Sequence, residues 1–150
     1  GYLRATIGPE RAEDAFSVFC ELLWTGLPRF RREAALLTWA YQLAWGAAQR
    51  VLRDPARGRA LPLSSAALQA VAQQVRSTTA VHLRPETAER LRRIRDALDP
   101  AEQSLLVLRI DRDLPWEDIA TIMGAEPAAL RQRFARLKQK IRRLAAREPT

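Results

Sequence analysis

The sequence predicts an all-α fold made of two small helical domains joined by a flexible linker, the second of them a helix-turn-helix. Apolar residues recur along the chain at the spacing of three and four that is typical of helices, and no run alternates in the way of a strand. Proline and glycine interrupt this pattern in the middle of the chain. A length of 150 residues with 47% hydrophobic content is sufficient for one domain or two small ones with a core.

The predicted N-terminal domain spans residues 1–52 and contains two helices. The first covers residues 10–25 and ends where Gly26 and Pro28 break the helical pattern. The second runs from about residue 33 to residue 52, and its apolar side carries Leu36, Trp39, Leu43 and Ala47.

Residues 53–88 are predicted to be the linker, because residues 53–65 hold two prolines, a glycine and three arginines. A weaker helix is expected after Ser65, since serine is a good N-cap. A second break is expected around residues 77–85. Pro85 then opens a helix to about Leu98, because proline fits the first helical turn.

The predicted C-terminal domain, residues 89–150, has the pattern of a helix-turn-helix. Pro115 opens a short helix with acidic residues in its first turn, and Gly124 stands where a left-handed C-cap is needed. Pro127 then starts a second helix. Its buried stripe is spaced 4, 3, 4 and 3 residues apart and consists of Leu130, Phe134, Leu137, Ile141 and Leu144.

Charge is unevenly distributed in a chain with a net charge of +8 and an isoelectric point near 11.1. Residues 98–126 carry seven acidic and two basic groups, whereas residues 127–150 carry eight basic groups and one acidic group. A strongly basic protein favours a polyanionic partner, either nucleic acid or an anionic membrane surface. The segregation within one small domain predicts two faces with different tasks.

The second helix of the helix-turn-helix is predicted to lie in the major groove of duplex DNA. In that groove arginine can bind the edge of guanine and glutamine can bind the edge of adenine, while other cationic side chains contact phosphates. The alternative interpretation is a solvated basic face without a partner. The residues predicted to contact DNA are Arg131, Gln132, Arg133, Arg136 and Lys138.

Nothing in the sequence indicates an enzyme. It has no glycine-rich phosphate loop, no nucleophile with its base and no metal-ligand spacing, and Cys20 and His82 are its single cysteine and histidine. We therefore expect no cofactor, no metal and no small-molecule substrate. No apolar run approaches the length of a membrane span and no signal-peptide pattern is present, so a cytoplasmic location without membrane insertion is expected.

Several segments resemble bacterial sigma factors of the extracytoplasmic-function group. LDPAEQSLLVLRIDRDLPWEDIATIMGAEPAALRQRFARLKQKIRRL, from Leu98 to Leu144, is similar to their C-terminal domain, although LuxR-like domains share part of this pattern. AEDAFSVFCELLWTGLPRF (12–30) and LLTWAYQLAWGAAQR (36–50) resemble two helices of the family's N-terminal domain, in the same order. A LuxR-like regulator would not carry the first of these helices.

The resemblance implies a non-enzymatic transcription initiation factor that binds RNA polymerase core and directs it to specific promoters. The N-terminal domain would dock on the β′ clamp and engage the melted minus-ten element. The C-terminal domain would bind the minus-thirty-five element as a duplex and also contact the β flap. The resemblance further implies an anti-sigma protein as partner, a location on the nucleoid, and an initial helical segment of which only Tyr2 to Ile7 are expected to remain here.

The resemblance also implies site residues in the N-terminal domain. Polymerase contact is expected at Asp14, Ser17 and Val18, where the family has a Gln-Glu pair at the last two positions. Contact with the melted strand is expected at Trp39, Tyr41, Gln42 and Trp45, by stacking more than by charge, because family arginines are replaced here. Trp45 is expected to be exposed, since Gly46 lies beside it, and the alternative for Trp39 is a core position.

Two other functions stay open at this stage. The departures at positions 17, 18, 45 and 46 favour a degenerate sigma-like protein that acts as a regulatory interaction module or DNA-binding regulator without initiation activity. The other open function is a plain helix-turn-helix repressor. Its first half would be a dimerisation domain, because such proteins usually bind paired half-sites as dimers.

Overall fold

The computed structural model describes residues 1–54 and 85–147, and every regular element in these ranges is helical. The all-α prediction is therefore confirmed for the part of the chain that the structure describes. The helix predicted after Ser65, most of the predicted linker and His82 lie outside the described residues.

Residues 1–54, the described part of the N-terminal half, contain three α-helices. α1 (Tyr2–Ile7) and α2 (Pro9–Gly26) are joined by Gly8. Its φ of 82° is unfavourable for residues that carry a Cβ, so glycine suits this position. A 3₁₀ turn (Leu27–Arg29) then leads through residues 30–35 to α3 (Leu36–Arg53). α3 begins three residues later than predicted, because the backbone of the preceding loop is irregular and Arg32 takes a positive φ of 58°.

Among residues 85–147, the described part of the C-terminal half, there are four helices: α4 (Pro85–Asp96), α5 (Pro100–Leu106), α6 (Trp116–Met123) and α7 (Pro127–Arg147). α5 continues into a π-helical turn (Val107–Asp111). Asp99 and Glu102 fix the start of α5 with a reciprocal capping box, in which the Asp99 carboxylate accepts from the Glu102 amide at 2.7 Å and the Glu102 carboxylate accepts from the Asp99 amide at 3.0 Å.

The turn between α6 and α7 has the predicted geometry. Gly124 has a φ of 64° and a ψ of 42°, the left-handed conformation that glycine adopts without steric cost. The apolar stripe of α7 faces the core as predicted: Leu130, Phe134 and Leu137 are buried, and Ile141 and Leu144 are half-buried against the same core.

A single hydrophobic cluster contains buried side chains from both halves of the chain. α1 packs against α5, and α3 packs against α6. The hydroxyl groups of Tyr2 and Ser104 share a hydrogen bond of 2.6 Å inside this interface, and both residues are buried. The structure thus holds the two halves against each other, while the domain boundaries at 52 and 88 stay a prediction.

Two glycines on neighbouring helices are expected to respond in opposite ways to alanine. A Cβ on Gly26 would lie 2.9 Å from Cζ2 of Trp39, a rigid ring that also packs on Phe30. Overpacking costs about 1–3 kcal/mol and outweighs the gain of up to about 1 kcal/mol in helix propensity, so Gly26→Ala should lower the free energy of unfolding. A Cβ on Gly46 meets nothing within 4 Å, so Gly46→Ala should raise it by about 0.5–1 kcal/mol.

Urea denaturation of the two variants beside the parent chain measures both changes under identical conditions. A Gly26→Ala variant as stable as Gly46→Ala would show that the indole of Trp39 moves freely, and would contradict the packing described above.

Candidate functional surfaces

The five residues predicted to bind DNA all lie exposed along α7. Gln132 and Arg136 are four residues apart and occupy the side of the helix opposite its buried stripe. Among the residues that the structure describes, Arg136 has no partner for an ion pair or a hydrogen bond. α7 therefore presents an open guanidinium and an open amide on its outermost face.

Carboxylates of neighbouring helices hold the two edges of this face. Arg131 lies 3.4 Å from Glu117 and stacks over the Trp116 ring at 6.0 Å, both at the start of α6. On the other edge, Arg133 lies 3.5 Å from Asp99. Such exposed pairs contribute at most about 1 kcal/mol each, so a phosphate can replace either carboxylate at small cost.

Two lysines further along α7 also have contacts, one with α5 and one within α7 itself. The Lys140 ammonium lies 2.6 Å from the Glu102 carboxylate, and the Lys138 ammonium lies 5.5 Å from the centre of the Phe134 ring. The acidic segment 98–126 thus supplies counterions to α7, which its sequence alone does not reveal. Three of its carboxylates neutralise cations of α7, namely Asp99, Glu102 and Glu117.

The prediction that Trp45 is exposed is wrong, because only 7% of it is accessible. Trp45 belongs to the core cluster, and α6 packs on α3, the helix that carries it. Gly46 does not uncover the ring. Within the described residues the indole N–H of Trp45 has no hydrogen-bond partner. In this arrangement the ring is not available for stacking on a base.

The other residues predicted to hold the melted strand have different surroundings. Trp39 is half-buried with its ring 4.8 Å from that of Phe30. Tyr41 packs edge-on against the Tyr2 ring at 5.3 Å, and burial raises the pKa of its hydroxyl. Gln42 is exposed. The structure therefore does not gather the four side chains into one open surface.

The C-terminal half also reaches the ring of Tyr41. The guanidinium of Arg112 lies 6.0 Å from the centre of this ring, close enough for a cation–π contact. Arg112 follows the π-helical turn of the C-terminal half. A side chain predicted to meet DNA is thus covered by the opposite half of the protein.

Val18, predicted to contact polymerase, is buried with 2% of its surface accessible. It lies three residues after the fully buried Ala15, on the side of α2 that faces the core. The side chain therefore offers no surface contact, which corrects that prediction. Asp14 and Ser17 are half-buried, and the Ser17 hydroxyl donates to the Glu13 carbonyl at 3.2 Å. Their contact with polymerase stays a prediction.

Sequence reasoning missed a surface at the end of the α2–α3 hairpin. Trp24, Leu27, Leu36 and Leu37 are all exposed there. The pair Leu36-Leu37 could have indicated this surface. By the resemblance the family has an arginine at position 37, and a position that holds arginine in relatives is expected to be exposed. Periodicity alone did not show these side chains as exposed, since apolar residues at a helix end are ordinarily expected to pack.

Other kinds of site find little support in the described ranges. No group of three or more histidine, cysteine or acidic side chains there could hold a metal ion. No helix among these residues combines the length and apolar character needed to cross a membrane. Cys20 is half-buried, and burial raises the pKa of its thiol, which disfavours the reactive thiolate.

Comparisons with known proteins find a likeness among solved structures. No family model and no curated protein matches the sequence. The fold is similar to that of the sigma factor RpoE, solved in complex with the anti-sigma factor NepR from Bartonella quintana. The similarity has a TM-score of 0.68 at 14% sequence identity and covers 99% of this chain and 89% of that one. The all-helical fold of the described residues is thus similar to that of this sigma factor.

Proposed function

We propose that the protein is a sigma-type transcription initiation factor that binds RNA polymerase core and directs it to promoters, without catalysing a reaction itself. The observation that carries the proposal is the exposed basic face of α7, on the second helix of a helix–turn–helix arrangement. Its place of action would be the cytoplasm, on the nucleoid.

The geometry of α7 supports reading of duplex DNA in the major groove. Gln132 and Arg136 are exposed on the side of the helix away from the buried stripe, and they would meet base edges of the minus-thirty-five element. Arg131, Arg133 and Lys138 flank them, and they would exchange their present partners for phosphates. The phosphate contacts would set the position of the helix and the two central residues would contribute sequence preference.

The extent of the structural similarity favours a sigma factor over a plain helix-turn-helix repressor. A likeness covering 99% of the chain includes the N-terminal half, which a repressor of that kind does not need. The N-terminal half would dock on the β′ clamp through the outer side of α2, where Asp14 and Ser17 lie, and the C-terminal half would contact the β flap. An anti-sigma protein is a proposed partner, because the similar sigma factor was solved with one.

The N-terminal half would hold the melted minus-ten element only after the two halves separate. Trp45 is buried in the core cluster that both halves share, and the ring of the half-buried Tyr41 contacts Tyr2 and Arg112. Separation would break the buried hydrogen bond between Tyr2 and Ser104, remove Arg112 from Tyr41 and open the core that contains Trp45. The strand-binding role of Trp39, Tyr41, Gln42 and Trp45 therefore belongs to an open form.

A second candidate function is a sigma-like interaction module without initiation activity. Burial of Val18 and of Trp45 favours it, because each side chain is withdrawn from a surface that an initiation factor would use. In that case α7 would still bind DNA, or the whole chain would bind a regulator.

Complex formation with polymerase distinguishes the two functions. The full chain is mixed with purified bacterial core polymerase at moderate salt and separated by gel filtration. We expect co-elution. Separate elution, with duplex DNA binding retained, would reject the initiation factor and leave the interaction module.

Ser17→Gln is the informative variant if co-elution is weak, since it restores the family's side chain at a half-buried position. Val18→Glu is unsuitable because it would place a charge in the core. Tighter binding by Ser17→Gln would locate the polymerase contact on α2.

A further inference from the structure

We propose that the hairpin tip, defined as residues 24–37, is a docking surface for an acidic protein segment that presents apolar side chains. The tip comprises the end of α2, the 3₁₀ turn, the following loop and the first residues of α3. It includes none of the residues assigned to DNA or to polymerase, so the inference goes beyond the proposed function and stands without it.

Large apolar side chains are concentrated at this tip. Trp24 is 80% exposed, Leu37 60%, Leu36 54% and Leu27 50%. Elsewhere in the described ranges, only Leu91 and Ile110 among large hydrophobic residues are comparably exposed. Four such side chains within fourteen residues of one hairpin end are unusual for a surface without a partner, because grouped apolar exposure marks interaction sites.

The tip has a packed interior that fixes its exposed side chains. The Phe30 ring lies 4.8 Å from the Trp39 ring, and Trp39 in turn lies against the backbone of Gly26. The Phe30 amide donates to the Leu27 carbonyl at 3.2 Å, which closes the 3₁₀ turn. A partner would therefore meet a prearranged platform, which reduces the entropy lost on binding.

The charge of the tip indicates an acidic partner. Arg29, Arg31 and Arg32 are exposed, and none of them has an ion-pair partner among the described residues. Glu33 is the one acidic residue within 24–37, so this end carries a net charge of +2. Arginines around exposed apolar side chains complement a segment in which leucine-like residues alternate with carboxylates.

The residue types favour a protein over single-stranded nucleic acid. Surfaces that bind single strands stack bases on aromatic rings, and Trp24 is the one exposed aromatic side chain of the tip. The other three exposed apolar residues are leucines, which pack against aliphatic side chains but do not stack on bases. Tryptophan and arginine are also the residues that dominate binding energy at protein interfaces.

A peptide experiment tests the proposal. The probe is a fluorescent helical peptide of about 20 residues with leucine at positions i, i+3, i+4 and i+7 and glutamate elsewhere, and the matched peptide has lysine in place of glutamate. Anisotropy titration with the full chain should show binding of the glutamate peptide and not of the lysine peptide. Leu36→Asp combined with Leu37→Asp should weaken binding at least about tenfold.

Ile110→Asp is the matched control, since it also places a carboxylate at an exposed apolar position, but in the C-terminal half. It should leave the affinity unchanged. Equal affinity of the parent chain and the double variant, or no binding of the glutamate peptide, would overturn the proposal. A double variant that loses binding to oligo-dT, while the glutamate peptide never binds, would instead assign the tip to single-stranded DNA. Circular dichroism melts confirm that the variants are folded.

Discussion

Replacement of Leu105 by alanine is expected to lower the free energy of unfolding by about 2–5 kcal/mol. Leu105 is fully buried, and it lies on α5, the helix of the C-terminal half that packs against α1. Removal of three side-chain carbon atoms costs their transfer free energy and leaves a cavity that rigid neighbours cannot fill. A loss of this size is a large fraction of the total stability of a small domain.

The same experiment tests whether the two halves unfold together. Both contribute to one hydrophobic cluster, so thermal unfolding should be a single transition that moves as a whole in Leu105→Ala. Leu91→Ala is the control, because Leu91 is 43% exposed and its truncation should change stability far less. Two transitions, with only one displaced by the substitution, would show that the halves are energetically independent and that their interface is weak.

The N-terminal half shows what periodicity could and could not predict. Spacing placed two helices near their observed positions, because an amphipathic stripe depends only on residues close in sequence. Trp45 is buried in a core cluster that includes side chains of the C-terminal half, far along the chain, and no local pattern carries that information. The resemblance even favoured the opposite, since it assigned Trp45 to a strand-binding surface.

α7 was predicted more completely because both of its faces obey local rules. Five apolar side chains at helical spacing fix its buried side, and the cations must then lie outside. The pairing of those cations was not predictable, since Asp99 and Glu102 are 34 and 38 residues away from Arg133 and Lys140. The acidic segment is in part an internal counterion for the basic helix, and its ion pairs link α7 to the starts of α5 and α6.

This pairing distinguishes the cations of α7 in their expected contribution to DNA binding. Arg136→Ala should weaken binding by about 1–3 kcal/mol, roughly fivefold to more than a hundredfold, if its guanidinium contacts base edges. Arg136 has no competing partner among the described residues, so its full interaction with DNA is gained on binding. Arg133 must first leave Asp99, which lies 3.5 Å away. The loss of binding free energy in Arg133→Ala should therefore lie toward the lower end of the same range.

The measurement is a titration of a labelled duplex, enriched from a random-sequence pool by the full chain, at several salt concentrations. Loss of a phosphate contact lowers the slope of log affinity against log salt by about 1, whereas loss of a base contact relaxes sequence preference instead. Arg136→Lys keeps the charge but not the bidentate geometry, so it should retain the slope and lose preference. Arg4→Ala removes an exposed cation from α1 as the control for net charge.

An affinity of Arg136→Ala equal to that of Arg4→Ala would show that the outermost face of α7 does not meet DNA. The basic helix would then pair only with carboxylates of the C-terminal half, and the role of Arg131, Arg133 and Lys140 would be to link α7 to the starts of α5 and α6. Loss of binding in Arg136→Ala with an unchanged salt slope gives the opposite result. It would mean that Arg136, which has no partner among the described residues, reads the sequence, while Arg131 and Arg133 position the helix on the DNA backbone.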